Sequence, residues 1–416
     1  MAHVLLVQEF GSNLGHVNRL LAVARALPPH RFTVVVPHPE VTAARVRDVL
    51  GAQVDVLQAP RFSAPDIVWP PARPERTLAD IFHALGYGLV EPLAAAALAW
   101  RDLIDRLRPD LIVSDFAPTL RLGNPWGVPV VAVGDCFNLP PPGGLCPPIM
   151  PSSRPDPASA SAERALVDAA RTVAGRLGSA PVDSFAALFA GDVAFPLGIR
   201  LLDPYAATRT GLERPSISLP AIRSGPAFEA RTGPPIFCYL WAEHPALNAV
   251  VSALNRLPVR SMLHVRGIDP ATLAAHCAPQ VGVRTTEAEF AAVLPQSRIF
   301  IHYGGGGACF AGLLAGTLQV VLPTSLEQES GAARLAGAGV ALAMRLAPGA
   351  DPDALARHLA VALNDTARQQ AALRLAADYA VLPPVDTLAD IAAACARLLD
   401  VGPRGPLVTP SGVPRR

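Results

Sequence analysis

The feature that most limits what this chain can fold into is an alternation that runs through it twice. A short aliphatic run is followed by a loop, an amphipathic helical stretch and another apolar run. The first round opens with the apolar run 3–7 and a glycine-containing loop, 11–15. Val17, Leu20, Leu21, Ala24 and Leu27 then fall on one helical face, which Pro28 and Pro29 end. The β-branched run 33–36 completes a strand, loop, helix, strand unit. Strands apolar on both faces and joined by helical crossovers predict a parallel sheet in a doubly wound α/β domain.

Further strands are predicted at 53–57, 111–114 and 129–133, with helical spacing between them up to about residue 107 and again over 164–189. Residues 138–148 hold too much proline and glycine for regular structure and read as a loop. Residues 210–235 lack sustained periodicity and read as a linker, after which the alternation restarts. Strands are predicted at 236–240, 261–265, 298–302 and 319–322, and helices at 246–257, 270–277, 308–315 and 328–337, with two more helices out to 400. A chain of 416 residues exceeds the size, about 250 to 300 residues, at which one core stops growing. The expected division is an N-terminal domain over 1–211, a linker over 212–233, a C-terminal domain over 234–400 and a frayed tail over 401–416.

Charge and composition remove several classes of function. With 35 basic against 34 acidic side chains, the chain has no electrostatic footprint for nucleic acid or an anionic membrane. Every basic residue apart from histidine is Arg, which excludes Schiff-base and P-loop lysine chemistry. Six scattered cysteines without a CxxC pair form neither a disulfide framework nor a zinc knuckle. Residues 82–100 approach membrane-span length but carry His83, Glu91 and Pro92, so they read as a buried helix broken at Pro92. The N-terminus has no basic region and too short an apolar run for a signal peptide, so a cytoplasmic protein is expected. No HExxH, Asp-x-Asp or ligand-spaced carboxylate cluster points to a metal, and no G-x-S-x-G points to a serine nucleophile.

The segment 299–339 carries the most chemistry. A predicted strand ends at His302, four glycines follow, and a helix starts near Ala308. Glycine removes the Cβ that would keep an anion from backbone N–H groups and the positive end of a helix, so a diphosphate suits the place. A simple tight turn is the plainer reading of the glycines alone. The segment resembles the donor-binding signature of family 1 type, GT-B fold glycosyltransferases that use nucleotide-diphosphate sugars. That pattern is matched by Tyr303, Gly304, Gly305, Gly306, Gly307, Ala308, Gly316, Pro323, Glu327, Gln328, Ala332, Arg334 and residues 337–339. The chain departs from the pattern at Tyr303, where the family usually has His; at Ala308, where it has Thr; and at Ala311, where Glu is frequent.

The resemblance extends to the first loop and helix, where Gly15 and His16 match the family's G-H pair carrying the catalytic base. A His suits that role because its ordinary pKa of about 6.5 lies near working pH. Asp115, directly after a predicted strand, matches the Asp that orients this base, and as a residue type it also suits an N-cap. What the resemblance implies is two Rossmann-like domains facing a central cleft, and an inverting, metal-independent transfer from a UDP- or dTDP-sugar to a small, hydrophobic acceptor. His16 and Asp115 would be catalytic. Residues 303–308, Glu327, Gln328 and Tyr239 would hold the donor, and Phe137 would line the acceptor pocket. Residues 203–209 resemble the family's approach to the interdomain linker. Glu327 also suits a helix cap, Phe137 and Tyr239 also suit core positions, and Trp241 and Phe290 are further aromatics near the expected donor. No resident cofactor is expected. The alternatives are an accessory binding protein on the same fold with a decayed donor site and, last, a nucleotide-sugar epimerase.

Overall fold

The computed structural model describes residues 1–402 apart from 12–13, 66, 68–73, 155, 212, 215–216, 218–221, 286–289 and 382–384. The chain divides into two compact units, one of residues 1–218 with 385 onward and one of residues 219–384. The first unit holds β1 (His3–Gln8), β2 (Arg31–Val36), β3 (Asp55–Gln58), β4 (Leu111–Asp115), β5 (Val130–Asp135) and β6 (Val193–Leu197). They form one sheet in the order β3-β2-β1-β4-β5-β6, with every pair parallel. The second unit repeats the plan with β7 (Ile236–Trp241), β8 (Ser261–Arg266), β9 (Val281–Val283), β10 (Ile299–His302), β11 (Leu318–Val321) and β12 (Ala341–Ala343). Their order is β12-β11-β10-β7-β8-β9, again all parallel. Each unit is therefore the doubly wound fold that the alternation predicts. Val4, Leu5, Leu6 and Val7 of β1 are fully buried, as a central strand with helices on both faces requires.

The strands that periodicity misses, β6, β9 and β12, all lie at sheet edges. β6 contains Pro196, which an edge strand tolerates, and β9 and β12 are three residues each, too short for a pattern. The expected helix break at Pro92 lies elsewhere. One helix ends at Ala84, a turn spans 85–89, and the next runs Val90–Leu107 with Pro92 in its first turn. Proline fits there because the first N–H groups of a helix have no intrahelical acceptor.

The last helix, Thr387–Val401, corrects the expected domain division. It packs on the first unit, with Ile391, Ala394 and Cys395 in one core with Val4, Leu6, Val17, Leu20 and Leu21. The expected linker falls partly outside the described residues, and the tail almost wholly so. The cysteines are all unpaired, and all but Cys277 are buried.

Candidate active site

In the first unit the topological switch point lies between β1 and β4, and the carboxyl ends of these strands bring together groups far apart in sequence. His16 sits in the first turn of the helix Leu14–Ala26, directly after the β1 loop. Asp115 is the last residue of β4 and is fully buried. His16 Nδ1 lies 2.8 Å from Asp115 Oδ1. Asp115 thus contacts the imidazole and is not the cap of the helix Pro118–Leu122, whose N-cap is Ala117. The His16 Nε2 edge faces the loop: a Cβ on Gly11 would stand 2.5 Å from Nε2. Gly11 has φ of 87°, so no other residue fits there without strain or collision. The Phe116 ring lies parallel to the imidazole at a centroid distance of 6.0 Å.

Two partners of this pair were not read from sequence. Arg19, one helical turn after His16, donates from Nε to Asp115 Oδ2 at 2.8 Å and from Nη1 to Asp135 Oδ1, also at 2.8 Å. Burial would raise the Asp115 carboxyl, but the neighbouring charges of Arg19 and His16 outweigh it and hold Asp115 below the usual carboxylate range. Burial likewise works against the Arg19 charge and is outweighed by Asp115 and Asp135. The available signal was the i, i+3 spacing of His16 and Arg19, which places both on one buried helix face.

Glu9 is the other unexpected residue. Its Oε2 accepts from the Thr119 N–H at 3.0 Å, and the next residue, Phe10, donates its N–H to the Phe116 carbonyl at 3.1 Å. These bonds tie the β1 loop to the segment that follows β4. Phe137 is buried within a short 3₁₀ turn, and its carbonyl accepts from the Tyr205 hydroxyl at 3.2 Å. Arg209 clamps the same turn through the carbonyls of Cys136 and Leu139, and pairs with Asp203 at 2.7 Å. The segment 203–209 thus shapes the loop after β5, and Phe137 lies among the core residues of that loop.

In the second unit the switch point lies between β7 and β10, and the glycine run leaves the end of β10 there. His302 is fully buried, and burial lowers its pKa to about 4, so the ring is neutral. Its Nδ1 accepts from the Gly304 N–H at 3.0 Å and its Nε2–H donates to Gln319 Oε1 at 2.9 Å. His302 therefore shapes the loop from inside and leaves no nitrogen for a ligand. Gly304 has φ of 93°, and a Cβ there would meet Val321 Cγ1 at 3.0 Å and Gln328 at 3.2 Å. The helix Gly306–Leu314 begins two residues earlier than expected, so two of the glycines lie inside it and Gly305 is its N-cap. Gly306 is exposed and Gly305 and Gly307 are partly so, and as the first residues of the helix their N–H groups have no intrahelical acceptor.

Tyr303 is mostly buried, edge-on to Trp241 at 4.8 Å and tilted against Tyr239 at 5.8 Å. Burial raises its pKa, so it remains a phenol able to donate. Ala308 and Ala311 belong to a core cluster with Phe237 and Phe300, which explains small apolar residues at both positions. Glu327 is partly exposed in the first turn of the helix Leu326–Gly337, whose cap is Ser325. Gln328 Oε1 accepts from the Thr324 N–H at 2.8 Å, which leaves its amide nitrogen for other contacts. The structure thus gathers Tyr239, Tyr303, residues 304–308 and Gln328 around one loop. Among the described residues no cluster of His, Cys, Asp and Glu could hold a metal ion, and no helix is long and apolar enough to cross a membrane.

Residues 269–398 match the family described as erythromycin biosynthesis protein CIII-like, C-terminal domain. A sequence comparison with curated proteins finds no match. Among solved structures, the glycosyltransferase VinC in complex with dTDP superposes with a TM-score of 0.63 and 17% identity, covering 96% of this chain and 100% of that one. The calicheamicin glycosyltransferase CalG4 gives 0.61 and 21%, covering 96% and 98%. The spinosyn rhamnosyltransferase SpnG gives 0.61 and 19%, covering 96% and 100%. The chain has the GT-B fold, built of two Rossmann-like domains, and its residues 269–398 are similar to the EryCIII-like C-terminal domain.

Proposed function

We propose that this protein is an inverting glycosyltransferase that moves a sugar from a nucleotide-diphosphate sugar to a hydroxyl of a small hydrophobic acceptor. The observation that carries the reading is the His16–Asp115 bond of 2.8 Å between buried partners. An Nδ1–H donated to Asp115 leaves Nε2 unprotonated and able to accept a proton. In the reaction the acceptor oxygen attacks the anomeric carbon as its proton passes to Nε2. The bond from that carbon to the diphosphate breaks, and its electron pair leaves with the nucleotide. The free N–H groups at the start of the helix Gly306–Leu314 and the Tyr303 hydroxyl would meet the charge on the diphosphate without a divalent cation. VinC and SpnG have both been solved with thymidine diphosphate, and SpnG with a spinosyn aglycone, so dTDP-sugars and hydrophobic aglycones are the first donors and acceptors to try.

The test is transfer from dTDP- and UDP-sugars to a panel of hydroxylated aglycones in EDTA, with melting curves in dTDP, UDP and GDP. We expect one nucleotide to raise the melting temperature, and His16→Ala to lower turnover about a hundredfold or more while keeping that rise. Near wild-type turnover in His16→Ala would remove the base assignment. The absence of any nucleotide shift would favour the accessory reading, for which Ala308 and Ala311, buried and without polar atoms, are the supporting observation.

A further inference from the structure

We propose that Arg19 and Asp135 are a positioning pair that sets how tightly the His16 imidazole holds a proton, an inference that rests on the reading of His16 as the base. Asp115 and Asp135 end the adjacent strands β4 and β5, and their carboxylates bracket the Arg19 guanidinium. Arg19 is buried, and besides its 2.8 Å bond to Asp115 Oδ2 it reaches Asp115 Oδ1 from Nη2 at 3.2 Å. The same Nη2 stands 3.0 Å from His16 Nδ1. A guanidinium cannot accept a hydrogen bond, so when Nδ1 carries the proton it donates to Asp115, and Nη2 acts on the ring as a neighbouring positive charge.

His16 therefore shares its carboxylate with a fixed cation that opposes formation of the imidazolium, and Asp135 offsets that cation. With a neutral imidazole the cluster carries a single net negative charge, which protonation cancels. The charged groups on the other neighbouring elements are engaged elsewhere. Glu9 in the β1 loop turns to Thr119, Arg45 of the helix Pro39–Leu50 bonds Asn18, and Asp390 of the last helix pairs with Arg214.

The two partners act in opposite directions, which a purely structural role would not produce. The experiment is a pH titration of the full-length protein labelled at histidine, followed by NMR, with the His16 resonance identified by its loss in His16→Gln. In Arg19→Met the midpoint should rise by about one pH unit or more, and in Asp135→Asn it should fall by about half a unit. Arg19→Lys, which keeps the charge but not the fork that spans Asp115 and Asp135, should raise the midpoint by less than Arg19→Met does. Midpoints that do not move, or that move together in Arg19→Met and Asp135→Asn, overturn the proposal. If Arg19→Met does not fold, Asp135→Asn carries the test, because the Asp135 side chain is 29% exposed and its loss strands no buried carboxylate. The titration needs no substrate. Midpoints that shift as stated in a protein whose His16→Ala variant keeps full turnover would uphold the charge network and remove only the base.

Discussion

Glu9 follows the last residue of β1, and burial pushes its carboxyl up to about 8 although the Thr119 bonds and the Trp100 indole work the other way. Among the described residues no hydrogen bond of ordinary geometry reaches its Oε1, the nearby Trp100 indole included, a setting that favours the neutral acid. In the unfolded chain the same group ionises near 4.5, so between these values the folded state holds a proton that the unfolded state has released. The stability Glu9 contributes is therefore fully present below pH 4.5, falls as pH rises toward 8, and changes no further above it. Glu9→Gln keeps an acceptor for Thr119 and has no proton to lose. Urea unfolding from pH 5 to 9 should show the wild type losing on the order of a few kcal/mol relative to Glu9→Gln. Parallel stability profiles would mean that the carboxyl is already ionised in the folded protein. The charge balance of the chain gives no hint of this residue, because a Glu at the end of a strand reads as a loop residue until Thr119 and Trp100 are seen to close over it.

At the scale of elements, the connection from β10 into the helix Gly306–Leu314 is fixed by contacts on both sides. His302 holds the Gly304 N–H from below, while Val321 and Gln328 leave no room for a Cβ at Gly304. Gly304→Ala should cost about 1 to 3 kcal/mol through left-handed strain and abolish the nucleotide-induced rise in melting temperature. Gly337→Ala, at a position with nothing within 4 Å of the added Cβ, should keep that rise. Equal responses in the two variants would separate the loop from donor binding. The glycine run and both flanking elements were legible in the sequence, because a β-branched run, a breaker and a helical period are local signals. That His302, and not its neighbour Tyr303, holds the loop from inside was not, since that depends on where β10 ends and on Gln319 of β11 accepting from the imidazole. Arg19 and Asp135 escaped for the same reason, as their meeting depends on β4 and β5 lying side by side.

For the whole molecule, the last helix decides which residues fold together. Its apolar face, Ile391, Ala394 and Cys395, has the same 3.6-residue spacing as any amphipathic helix, so the sequence alone does not say which core it joins. The structure places it against the helix Leu14–Ala26, which carries His16 and Arg19, and beside β4 and β5, whose ends carry Asp115 and Asp135. The core of the first unit is thus closed by residues synthesised after the whole of the second. Ile391 is fully buried there, so Ile391→Ala should cost about 2 to 4 kcal/mol through lost burial and the cavity it leaves. Because Ile391 and the glycine loop belong to different units, the loss should fall on the transition that nucleotide does not stabilise. Calorimetry with and without the stabilising nucleotide checks this. A lowered first-unit transition with an unchanged nucleotide-responsive one supports the allocation, whereas a loss confined to the nucleotide-responsive transition would return the last helix to the second unit. A chain ending at residue 384 would uncover the apolar faces of the helix Leu14–Ala26, β4 and β5 and should lose the first-unit transition altogether, with the second unit still melting in response to nucleotide.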